Sequence, residues 1–231
     1  MWLDSDPYIT LVASLPATGP LLSGAEPPIN RSRLLDRLKI LSIEHRAELD
    51  ALFSIFAWAD LDVTESDASF LHRADRVVKG ISSEDVRNAA QERLEIRTLI
   101  AALRRRHAGE DTPADGVRWG YGRFVNAIRA NWNSPDFGIG RAFPWVLSAK
   151  EKLEAGDTVA FERIALEAAW KSGTHWEVGH DFDYEAVVFY VLRWSLNERW
   201  SRYDADAAGL RFAGLLDAAF DNYEPDYQAA A

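Results

Sequence analysis

The sequence predicts an all-α protein, and three observations carry that reading. Apolar residues recur at helical spacing in one segment after another, most clearly at Val86, Ala90, Leu94, Leu99, Ile100 and Leu103. Residues that favour the helix N-cap (Asn30, Ser66 or Asp67, Ser82 or Ser83, Asp157) stand at the heads of these segments. Finally, residues 182–200, FDYEAVVFYVLRWSLNERW, are apolar almost all round until the last turn. Such a helix is sheathed on every side by other elements or by a partner.

Taken in order, YITLVASL at Tyr8–Leu15 is rich in β-formers and stops at Pro16, which predicts a short extended segment or strand. Pro16 to Pro28 reads as a loop. Asn30 caps a helix through Leu34, Leu35, Leu38 and Leu41. A second helical pattern follows at Leu49, Leu52, Phe53, Phe56 and Trp58, with a break near Ser42. Phe70, Leu71, Val77 and Val78 form the next helix, ended by Gly80. The helix from Ser83 closes on Arg104, Arg105, Arg106 and His107, where positive charge complements the C-terminal dipole.

GEDTPADG at 109–116 is the best internal linker. The chain is then either an N-terminal helical subdomain, 1–109, and a C-terminal one, 117–231, joined by 110–116, or a single domain. Arg118 to Trp132 is helical in pattern and NSPDFGIGRAFPW is a loop. Ser148 with Glu151 reads as a capping box, and Gly156 closes that helix. Asp157 caps Thr158–Lys171, a polar connection follows, and Asp204 or Asp206 begins a last helix before a frayed tail from Asn222.

Composition narrows the function. The 231 residues carry a formal charge of −10, against the concentrated positive charge that nucleic acid binding needs, so no nucleic-acid partner is expected. Arginine outnumbers lysine 21 to 5, and arginine suits buried or interfacial ion pairs. Nine tryptophans imply an aromatic core or aromatic anchors at an interface. The absence of cysteine excludes disulfides, thiol catalysis and cysteine-ligated metals. No apolar stretch approaches the roughly 20 residues that span a bilayer, and the N-terminus lacks a secretory pattern. A cytoplasmic protein is expected, with no direct membrane insertion.

Motifs for chemistry are weak. His175, Glu177 and His180 have the spacing H-x-E-x-x-H, unlike the i,i+4 pair of a zinc-binding helix. Asp181 and Asp183 form a D-x-D, but capping the following helix is their plainer task. Gly138-Ile-Gly140 begins a dinucleotide fingerprint that Phe143 breaks at the third glycine. No catalytic residue, cofactor or metal is therefore expected. The charged residues on the helices are better candidates, for contact with a partner: Glu95 and Arg97, Arg193 inside the apolar helix, and Glu198, Arg199 and Trp200 at its end. Arg193 requires a carboxylate if it is buried.

Several segments together carry a resemblance: YITLVASLP, PPI at Pro27–Ile29, FPWV at Phe143–Val146, EKLEAGD running into FERIALEAAW, and FDYEAVVFYVLRWSLNERW followed by AGLRF. In this order the chain resembles the small helical proteins of unassigned function encoded in bacterial V-type ATPase operons. Those in turn are similar to shortened C (d) subunits of V/A-type rotary ATPases. The resemblance implies a non-catalytic central-stalk role in ion transport. The partners would be the central shaft and the membrane rotor ring, and the chain would lie peripheral to the membrane through that complex. The second reading is a free-standing helical binding module, such as a maturation chaperone.

Overall fold

A computed structural model describes residues 7–22, 26–56 and 65–221, with side chains as far as Tyr203. Trp58 and the tail from Asn222 lie outside the described residues. Among the described residues nine α-helices follow one another: α1 (Pro7–Ser14), α2 (Arg31–Arg37) with a 3-10 turn (Leu38–Ile40), α3 (Ile43–Phe56), α4 (Asp67–Gly80), α5 (Glu84–His107), α6 (Val125–Ala130), α7 (Trp145–Glu154), α8 (Thr158–Thr174) and α9 (Tyr184–Asp221). No strand occurs among the described residues.

Local capping explains most of the boundaries. Asn30, Ser66, Ser83 and Asp157 each accept a backbone N–H from the first turn of α2, α4, α5 and α8. Ser42 does the same for His45 at the break before α3. Asp183 accepts from Ala186 at 2.9 Å and opens α9. Gly156, at a φ of +71°, ends α7 in the left-handed conformation that glycine takes freely.

Four expectations are corrected. The β-forming segment Tyr8–Leu15 is not extended: it is α1, started at Pro7, where a missing N–H costs nothing. Its Leu11 is fully buried in the core shared with α9, so tertiary packing overrides propensity. Ser148 is not a cap, because α7 already begins at Trp145 behind Pro144. Arg118–Trp132 is helical only over Val125–Ala130, since the backbone before it is spent on the approach to α5 described below. Asp204 and Asp206 start nothing, for α9 runs without interruption to Asp221. At 1.5 Å per residue that is a rod of about 57 Å.

Among the described residues two hydrophobic cores form, and they meet along α5. The first joins α1–α4, the first half of α5 (Val86, Ala89, Ala90, Leu94) and Tyr184–Trp194 of α9. The second joins the rest of α5 (Ile96, Leu99, Ile100, Ala102, Leu103) to α6–α8. The boundary thus falls within α5, and the chain returns to its first core through α9. Burial of α5 in both cores makes it the common spine. Segment 110–116 is an exposed loop, anchored where Trp132 donates to the Glu110 carbonyl and Thr112 to that of Arg129.

The basic end of α5 does more than complement a dipole. Arg106 donates to the carbonyls of Trp132 (3.0 Å), Ser134 (2.6 Å) and Pro135 (3.1 Å), clamping the loop before α7. Its guanidinium covers the ring of Phe137, which is buried at a φ of +53°. Arg105 pairs with Asp67 and Glu110. Arg104 reaches Glu162 on α8.

Candidate functional site

A concavity of about 690 Å³ lies where the loop Arg118-Trp119-Gly120-Tyr121-Gly122-Arg123 crosses α5. Asn88, Gln91, Glu92 and Glu95 fall at helical spacing and so share the face of α5 that forms one wall. The loop lies on that helix because two glycines permit it. A Cβ on Gly120 would sit 2.5 Å from Thr98 Cγ2, and one on Gly122 only 2.3 Å from Glu95 Cγ. Gly122 also has a φ of +93°, which other residues rarely adopt.

Hydrogen bonds fix the crossing. Tyr121 N–H donates to Thr98 Oγ1 at 2.8 Å, and Arg123 N–H donates to Glu95 Oε1 at 3.0 Å. The Arg123 side chain adds an ion pair to the same oxygen at 3.3 Å. Glu95 is only 7% exposed, and its Oε2 has no hydrogen-bond partner among the described residues. On the rim, Trp176 donates its indole N–H to Glu92 Oε2 at 3.0 Å, and Arg118 pairs with Asp75. Burial and the Asp75 carboxylate push the Tyr121 phenol up, against the pull of Arg118. Aromatic faces, carboxylates, guanidiniums and side-chain amides thus converge on one cleft, which suits recognition of a polar segment.

On the other side of the same loop is a second hollow of about 270 Å³, lined by Glu65, Phe70, Arg97 and Trp119 among others. Arg97 donates to the Ile55 carbonyl at 3.0 Å and lies 3.9 Å from the centre of the Phe70 ring. Desolvation lowers its pKa to about 10, with Arg73 adding to the fall. The buried Trp119 N–H has no partner among the described residues.

The six residues singled out by sequence are not gathered into one surface. Glu95 and Arg97 stand on α5 at the two hollows. Arg193 does find its carboxylate, Glu177, at 2.6 Å. Burial pushes the Glu177 carboxyl up, while Arg193 pulls it down. Arg199 pairs at 2.5 Å with Glu162, a residue 3% exposed that also takes Arg104. Glu198 pairs with Arg202 at 3.0 Å, and Trp200 stacks on Tyr203. Arg193, Glu198 and Arg199 are thus held by contacts within the chain. Sequence reasoning missed Gly120, Tyr121, Gly122 and Trp176, although W-G-Y-G between two arginines was a visible signal.

The H-x-E-x-x-H residues do not converge. His175 faces Glu92, Glu177 faces Arg193, and His180 is bonded to Asp183 Oδ2 (2.7 Å) and Asp85 Oδ2 (3.0 Å). His180, Asp183 and Glu185 do place ligand-type atoms within 4.8 Å of one another. Yet both His180 nitrogens are engaged and Asp183 is the α9 cap. In the Gly138-Ile-Gly140 turn, the Asp136 carboxylate takes the N–H groups of both glycines. Those hydrogen bonds hold the Asp136 carboxyl below its ordinary range.

Compared with protein-family models, curated proteins and solved structures, the chain matches none. No helix among the described residues is long and apolar enough to cross a membrane. The functional reading therefore rests on the residues themselves.

Proposed function

We propose that this chain is a non-catalytic subunit of a V/A-type rotary ATPase, coupling the central shaft to the membrane rotor ring in ion transport. The observation that carries the reading is the ordered series of segments from YITLVASLP to AGLRF. The fold is compatible with it. A coupling adaptor has to transmit force without yielding, and α5 is shared by both cores. Glu162 on α8 ties α5 to α9 through Arg104 and Arg199. The cleft at the W-G-Y-G loop supplies polar and aromatic groups for a partner segment. The chain acts beside the membrane through the complex, without cofactor or metal.

The test is co-elution of the purified chain with purified shaft and ring subunits on size exclusion. A shared peak supports the proposal, and separate elution at concentrations where the other subunits assemble contradicts it. The same cleft favours the second reading, a free-standing helical binding module. Peptide binding at the cleft with no association to ATPase subunits would favour that alternative.

A further inference from the structure

Every charged side chain that lines the W-G-Y-G cleft already has a partner within the chain. Asp75 takes Arg118, and Glu95 takes Arg123 by main chain and side chain. Glu92 Oε2 accepts the Trp176 indole N–H at 3.0 Å and lies 3.6 Å from His175 Nε2. The two arginines thus neutralise acids of the cleft wall, Asp75 from α4 and Glu95 from α5. What the cleft presents besides these pairs is neutral: the side-chain amides of Asn88 and Gln91 on α5 and of Asn126 on α6, and the half-buried Tyr121 phenol. Gln91 and Asn126 are exposed.

A primary amide is the side-chain counterpart of a peptide bond, offering an N–H donor and a C=O acceptor at one place. Asn88, Gln91 and Glu95 run along one face of α5 for about 10 Å, at 1.5 Å per residue. That length matches about three residues of extended chain. We infer that the cleft takes an uncharged, extended peptide segment, held through its main chain by the amides of Asn88, Gln91 and Asn126, and that Arg118 and Arg123 set this preference by neutralising Asp75 and Glu95. An entering charged side chain would lose water beside a group of its own sign, with the opposite charge already taken. An apolar segment without accessible main chain would leave the amides unsatisfied. The inference rests on the reading of this cleft as the place where a partner segment docks, and it does not require that the partner be an ATPase subunit.

Fluorescence polarisation of labelled short peptides with the full chain tests it. One pool is built from Ser, Thr, Asn, Gln and Gly, and two twin pools carry Lys or Glu at the centre. The neutral pool is expected to bind at least about tenfold more tightly than either twin. Its affinity is expected to change by less than about twofold between low and physiological salt, since no ion pair is formed on binding. Gln91→Ala together with Asn126→Ala is expected to weaken the neutral pool about tenfold. Arg118→Met leaves Asp75 without its cation, and is expected to turn the preference toward the Lys pool. No binding of the neutral pool, equal or tighter binding of a charged pool by the wild type, an unaffected amide double variant, or an Arg118→Met variant that still prefers the neutral pool overturns the inference. Peptide binding without co-elution with shaft and ring subunits would count against the ATPase proposal alone. Co-elution without peptide binding would count against this inference alone.

Discussion

Gly122 is seated against Glu95 so closely that a single added carbon would lie 2.3 Å from the glutamate Cγ. The carboxylate beneath it holds the next residue, Arg123, by main chain and side chain alike. The cleft wall therefore depends on a residue with no side chain and on a buried acid whose one oxygen takes both the main-chain N–H and the guanidinium of Arg123.

Substituting Gly122 by valine is expected to destabilise the fold by about 2 kcal/mol or more, through the steric clash and the positive φ together. Gly122→Val in a Glu95→Ala background is expected to cost less than in the wild type, because only the φ strain remains. Denaturant unfolding of the four proteins in the cycle measures the coupling. Strict additivity would show that the contact is not what seats the loop.

Glu162 is the shared acceptor of Arg104 and Arg199, at 3.4 and 2.5 Å. Glu162→Gln is expected to lose about 2 kcal/mol, below the range for a fully buried pair because both arginines retain solvent. Arg199→Met is expected to cost more than Arg104→Met, since Arg104 is nearly half exposed. Equal losses from the two arginine variants would contradict this ranking.

His180 gives stability a pH dependence. Hydrogen bonds that it donates to Asp85 and then to Asp183 raise its pKa above the ordinary value, since both carboxylates favour the imidazolium. The link between the starts of α5 and α9 is therefore complete below the unfolded-state pKa of about 6.5. It weakens as pH rises through the higher folded-state value. Melting temperatures measured across this window are expected to fall more for the wild type than for His180→Asn, and parallel profiles would refute the linkage.

Trp194, 1% exposed, donates its indole N–H to the Ile29 carbonyl at 2.7 Å and so pins the PPI segment to α9. Trp194→Phe keeps an aromatic ring but leaves that carbonyl without its donor. A loss of about 1–2 kcal/mol is expected by chemical denaturation. An unchanged midpoint would mean that water or a shifted neighbour replaces the bond.

What the sequence reveals and what it hides follow from the range of the forces. The caps at Asn30, Ser66, Ser83 and Asp157 are legible because each acts within three residues of itself. The helical state of Tyr8–Leu15 is hidden, because it is decided by the burial of Leu11 against α9, far along the chain. The same distance hides the cleft. Thr98 and Glu95 meet Tyr121 and Arg123 across 23 and 28 residues, and neither pair shares a helical period. Arg193 illustrates the middle case: electrostatics demanded a carboxylate, but only the fold assigns it to Glu177.

The proposal of a rotary-ATPase role is tested most directly by native purification of the V/A-type ATPase from the source organism, with its subunits quantified by mass spectrometry. The account predicts this chain in stoichiometric amount with the shaft and ring subunits. Its absence from a preparation that contains both in full amount would contradict the account.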